Sequence, residues 1–97
     1  MIVAPAAERD LREISAHLRE IAGDDIAERF IGVLTDRLFE IADHGLSGTP
    51  RDWISPGLRM TVFRDRCIYF RVLDAEVHIL RVIHGRRDRD SMGLDAL

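Results

Sequence analysis

The residues best suited to chemistry gather late in the chain, in Ile79-Leu80-Arg81-Val82-Ile83-His84-Gly85-Arg86-Arg87-Asp88. A strand that ends at a glycine turn would let Arg81, His84, Arg86 and Arg87 converge at one strand end. Guanidinium forks beside an imidazole suit a phosphate or an acidic partner. The plainer reading is a solvated tail in which Arg86 or Arg87 pairs with Asp88. Four more arginines, Arg59, Arg64, Arg66 and Arg71, decorate the preceding segments. Alternation puts Arg59 on a face with Thr61 and Phe63, and Arg71 on a face with Cys67, Tyr69 and Leu73. If Arg59 and Arg71 both lie on an open sheet face, they extend the basic patch. Charged protection of strand edges is the alternative, and it fits Arg64 and Arg66 better because they flank a turn.

Other reactive groups carry weaker signals. All fourteen basic residues are arginine, so the chain has no amine side chain that could titrate near neutrality. Cys67 is the only cysteine, which rules out an internal disulfide, and no Cys/His spacing suits a metal. No metal or cofactor is expected. His17 and His44 read as surface or capping residues and His78 as structural. Tyr69 could stack on a base, but a tyrosine in a central strand is more simply packing. Glu8, Glu13 and Glu20 form a solvated helix face and no carboxylate dyad. The charge is divided: residues 1–49 hold ten acids and five arginines, residues 50–97 seven acids and nine arginines. An acidic first half disfavours free DNA binding, so any basic contact must be local.

The elements that position these groups follow from periodicity. With 97 residues, 46% apolar and 32% charged, a single globular domain over residues 1–97 is expected. Residues 1–4 read as a short strand. Pro5 suits a first helical turn, and Ala7, Leu11, Ile14, Leu18 and Ile21 recur at helical spacing. Gly23 closes this helix in a left-handed conformation, and Asp25 with Glu28 fits a capping box for the next. That second helix, about 25–43, buries Ala27, Phe30, Ile31, Leu34, Leu38 and Ile41. Ile26 and Val33 widen its apolar face, leaving room for an amphipathic partner. Residues 45–57 form a loop pinned by Trp53. Segments 58–63, 66–73 and 76–83 are strands joined by Arg64-Asp65 and Asp74-Ala75, hence an antiparallel meander whose middle strand is central. The fold class is α+β: a short strand, a helical hairpin, then an antiparallel-dominated sheet. The N-terminus has neither a basic leader nor a long apolar run, so a reducing, cytoplasmic setting without membrane insertion is expected.

These pieces resemble the ParE branch of the ParE/RelE toxin superfamily from bacterial type II toxin–antitoxin modules. The resemblance rests on Pro5-Ala6-Ala7-Glu8-Arg9-Asp10-Leu11-Arg12-Glu13-Ile14, Ala27-Glu28-Arg29-Phe30 and Pro56-Gly57-Leu58-Arg59. It continues through Ile68-Tyr69-Phe70-Arg71-Val72 and ends in the His84-Gly85-x-Arg87-Asp88 pattern. It implies a toxin with a helical hairpin on a sheet, neutralised by a ParD-like antitoxin that lays a helix beside the helices. For this chain that points to Leu18, Ile26, Phe30, Val33, Leu34, Arg37 and Arg71 as antitoxin contacts. ParE-type toxins act on DNA gyrase and trap its cleaved-DNA state. The corresponding target contacts would be Arg59, Arg81, His84, Arg86, Arg87 and Asp88. Ala4 departs from the family pattern, which often has a capping serine or threonine there.

RelE-type relatives instead cut mRNA, which needs a general base, phosphate stabilisation and a proton donor. They supply these with lysines, arginines and a late tyrosine. This chain has no lysine and no tyrosine after Tyr69. A nuclease would therefore need an atypical set, Arg59, Arg71, Arg81 and His84, and the non-nuclease branch is favoured. A non-toxic relative that only holds its antitoxin is the third alternative.

Overall fold

The structure, a computed structural model, describes residues 1–44 and 47–85. Its element order is β1 (Ile2–Val3), α1 (Pro5–Ala22), α2 (Asp24–His44), β2 (Thr49–Pro50), β3 (Arg59–Phe63), β4 (Arg66–Leu73) and β5 (Glu76–His84). Pro5 opens α1, where a missing N–H costs nothing. Ala4 stands at its N-cap without a side-chain hydrogen bond, as the departure from the family pattern implies. Gly23 links the helices at φ 89° and ψ 169°, a positive-φ geometry but not the left-handed helical one expected. Because α2 already begins at Asp24, neither Asp24 nor Asp25 is its cap. Both instead place negative charge in the first turn, where the helix dipole favours it.

One five-stranded sheet has the order β1-β5-β4-β3-β2. The meander β3-β4-β5 is antiparallel with β4 central, as alternation predicts. β1 adds in parallel at the β5 edge. β2 pairs with the start of β3, inside the stretch read from sequence as loop. One irregularity matters: Tyr69 faces Arg81 and Phe70 faces Ile79, so Leu80 is an extra residue bulged out of β5.

The two helices cover one sheet face. Ala7 and Ile14 from α1 and Leu34, Leu38 and Ile41 from α2 pack on Ile68, Phe70, Val77, Ile79 and Val82. Ile21 is excluded from this core and lies exposed. The other sheet face holds a smaller cluster of Leu58, Tyr69 and Ile83, flanked by Ile54, Met60, Cys67 and Leu80. The loop crossing this second face leaves Trp53, the residue expected to pin it, 67% exposed rather than buried beneath it. Backbone bonds hold it instead: Arg51 N–H to Leu58 O, Ser55 N–H to Arg51 O and Leu58 N–H to Ser55 O. The Asp52 carboxylate also accepts the Gly57 N–H at 2.9 Å. Among the described residues no helix is long and apolar enough to cross a membrane.

Candidate functional site

The β5 exit is built around two carboxylates from elsewhere in the chain. β1 pairs with β5 only at His78 and Ile79, so the later part of that edge needs another partner. Asp10 of α1 supplies it. Its Oδ2 accepts the Val82 N–H at 2.9 Å and the Arg81 Nε–H at 2.8 Å. Its Oδ1 accepts Arg81 Nη2 at 2.9 Å. Asp10 is buried, and the contact with it lifts the Arg81 guanidinium above its ordinary value, so this cation does not titrate in any working range. Arg81 is therefore engaged in tying α1 to β5. That geometry replaces the expected convergence of Arg81 with His84.

His84 itself lies opposite Arg66 across β4 and β5. Its Nε2 is 3.3 Å from Asp65 Oδ2, and Arg66 Nε is 3.6 Å from Asp65 Oδ1. Gly85 N–H donates to the Asp65 carbonyl at 2.8 Å. β5 ends at His84 and Gly85 sits in a turn, as the sequence implies, but without a positive φ. Between this end and α1 lies a small cleft of about 100 Å³ lined by Glu13, His17, Arg66 and His84. Arg86, Arg87 and Asp88 lie outside the described residues.

The other arginines do not join this end. Arg59 faces Phe70, on the helix-covered side, and donates to the Ser47 and Gly48 carbonyls at 2.8 and 3.2 Å. Arg71 alternates onto the opposite side, where it donates to Ser55 Oγ at 2.8 Å. The shared open face expected for Arg59 and Arg71 is thus corrected: register puts them on opposite faces. Tyr69 is fully buried and offers no ring for stacking. Arg59, Arg71, Arg81 and His84 accordingly form four separate contacts and no common pocket.

A second surface runs along α2. Ile26 and Val33 are 48% and 41% exposed, and with Phe30, Arg29 and Arg64 they line a groove of about 350 Å³. Phe30 meets Phe63 of β3 edge to face, with centroids 5.8 Å apart. The Arg64 guanidinium carbon lies 5.2 Å from the Phe30 ring centroid and 5.1 Å from that of Phe63, a cation–π contact with each ring at the groove wall. Arg37 follows on the same helical stripe and reaches Thr61 Oγ1 at 3.3 Å. Three residues expected among the antitoxin contacts differ from this set. Leu34 is fully buried in the core, so it can shape the surface but cannot touch a partner. Leu18 packs against that same core from α1. Arg71 belongs to the other sheet face.

Sequence reasoning missed Asp10 as a site residue, although its position carried a signal. It lies three residues after Ala7 and four before Ile14, on the buried stripe of α1. A carboxylate on an apolar face demands a partner.

A solved chain of the chromosomal ParDE TA system from P. aeruginosa superposes with a TM-score of 0.73. The similarity covers 87% of this chain and 95% of that one, at 24% identity, and establishes a shared fold. No curated protein matches the chain. The family model described as the ParE toxin of the type II toxin–antitoxin system parDE matches residues 1–89, which takes in both helices, the whole sheet and the arginine-rich exit. The chain belongs to the ParE toxin family of type II toxin–antitoxin systems.

Proposed function

We propose that the chain arrests growth by binding DNA gyrase and holding it in its cleaved-DNA state, and that a ParD-like antitoxin neutralises it in the bacterial cytoplasm. The observation that carries this reading is the family match over residues 1–89. Target contact is assigned to the exit, His84 with Arg86, Arg87 and Asp88, and to Arg59 at the start of β3; Arg81 supports the exit from its pairing with Asp10. Antitoxin contact is assigned to the outer face of α2. The dispersal of Arg59, Arg71, Arg81 and His84 weighs against a nuclease, because acid–base chemistry on one phosphate needs its groups within hydrogen-bond reach of the same atoms.

Induction in cells tests the proposal. Expression of the chain alone should stop growth with translated messages intact, and co-expression of the protein encoded by the adjacent reading frame should restore growth. Discrete cuts in translated messages would instead indicate a ribonuclease. Harmless expression would indicate a relative that only binds its antitoxin.

A further inference from the structure

The β3–β4 turn is only Arg64-Asp65, because Phe63 of β3 already pairs with Arg66 of β4. It closes without a glycine. Arg64 stands at φ 55°, a left-handed-region value that costs a residue with a Cβ. Its guanidinium packs on the Phe30 and Phe63 rings, which holds the turn from the side of α2.

The contacts of Asp65 run to the β5 exit instead. β4 lies between β3 and β5 in the sheet, yet the turn reaches past the start of β4 to its neighbour. The Asp65 carboxylate touches His84 Nε2 at 3.3 Å and Arg66 Nε at 3.6 Å. Its carbonyl accepts the Gly85 N–H at 2.8 Å. One turn residue thus grips a side chain and the backbone at the point where the register of β5 with β4 stops, the pair Arg66 and His84. The ring contact needs a proton on Nε2, which the imidazolium and one neutral tautomer both supply. Stability does not account for the arrangement. The Asp65 side chain is 59% exposed, and exposed ion pairs contribute little to folding. Holding a segment in place before it binds does matter, because less conformational freedom is then lost on contact.

We infer that Asp65 is a positioning residue for target contact: from the β3–β4 turn it orders the His84 ring and the Gly85 backbone before the target arrives. The inference rests on the assignment of target contact to the β5 exit and names what holds that exit. Asp65 itself lies outside both contact sets assigned above.

The test uses the full chain with Asp65→Ala, Asp65→Asn and Glu20→Ala, the last removing an equal charge from the exposed side of α1. Each is scored for growth arrest against induced protein level, for trapped gyrase cleavage, for affinity toward the protein encoded by the adjacent reading frame, and for Tm. Asp65→Ala should shift the His84 ring resonances in NMR spectra and require roughly fivefold more toxin for arrest and for cleavage. Its antitoxin affinity should stay at the wild-type value and its Tm within about 5 °C. Asp65→Asn keeps an oxygen acceptor for Nε2 and should recover most of the potency. Glu20→Ala should match the wild type in every measurement. Full potency of Asp65→Ala overturns the inference, as do ring resonances that fail to move. A parallel fall in potency, antitoxin affinity and Tm overturns it too, because Asp65 would then serve folding alone. Wild-type arrest without trapped cleavage overturns the gyrase reading and leaves Asp65 to be decided by the arrest measurements. Wild-type expression that arrests nothing overturns both.

Discussion

Replacing Asp10 by alanine should be the most damaging single change at the β5 edge. The substitution removes three hydrogen bonds at once, two from Arg81 and one from the Val82 N–H. It leaves a guanidinium only 15% exposed without its counter-charge and a backbone donor with no acceptor. Stripping one partner from a buried ion pair costs about 3–5 kcal/mol, and the residual water access of Arg81 places this case near the lower limit. A domain of this size has roughly 5–15 kcal/mol in total, so the loss is a large fraction of its stability. At about 4–8 °C per kcal/mol, a loss of about 3 kcal/mol lowers Tm by roughly 12–24 °C. Asp10→Asn keeps one acceptor for Val82 and should cost less, about 2 kcal/mol. Urea unfolding of the purified chain measures each value. A double-mutant cycle with Arg81→Met isolates the pair: the double variant should be more stable than the sum of the singles implies, by about 1–3 kcal/mol. A cost below about 1 kcal/mol for Asp10→Ala, or strictly additive effects, would refute the reading of Arg81 as a structural tie.

Leu34 and Ile26 separate core from surface on the same helix. Leu34→Ala should cost about 2–5 kcal/mol in urea unfolding, whereas Ile26→Ser should stay within roughly 1 kcal/mol. The Asp74-Ala75 turn holds both residues at positive φ, 52° and 62°, without a glycine. Ala75→Gly should therefore raise stability by about 1 kcal/mol, and a loss on chemical unfolding would contradict the turn geometry. The Met1 amino group donates to Glu76, and this bond holds the Glu76 carboxyl below its ordinary value. A depressed carboxyl contributes stability above its unfolded value and loses it as pH falls through the folded one. The stability difference between wild type and Glu76→Gln should thus shrink through the acid range, and a difference that grows there would contradict the pairing.

Much of this architecture is legible in the sequence because burial repeats at the period of each element. Ala27, Leu34, Leu38 and Ile41 share one helical face and are the buried residues of α2. The β-formers of Arg66–Leu73 mark the central strand because both of its faces are covered. Thr49-Pro50 is too short to show alternation, and its pairing to β3 depends on a chain reversal no periodicity encodes. Alternation tells which residues of one strand share a face, but not how two strands register. Arg59 and Arg71 were each placed correctly beside their own neighbours, yet only the pairing of Arg59 with Phe70 reveals that they lie on opposite faces. Arg81 shows a different limit. Seen in sequence it joins His84 in an arginine-rich exit, but its partner is 71 residues away on α1. The bulge at Leu80 changes the facing of this part of β5 further.

The central claim is that this toxin acts by trapping gyrase. The direct measurement incubates the purified chain with DNA gyrase, ATP and supercoiled plasmid, then denatures the enzyme with detergent and digests it. The account predicts linear plasmid that accumulates with toxin concentration and disappears when the antitoxin is added first. Plasmid that stays uncleaved, with supercoiling activity intact at a molar excess of toxin, would contradict it.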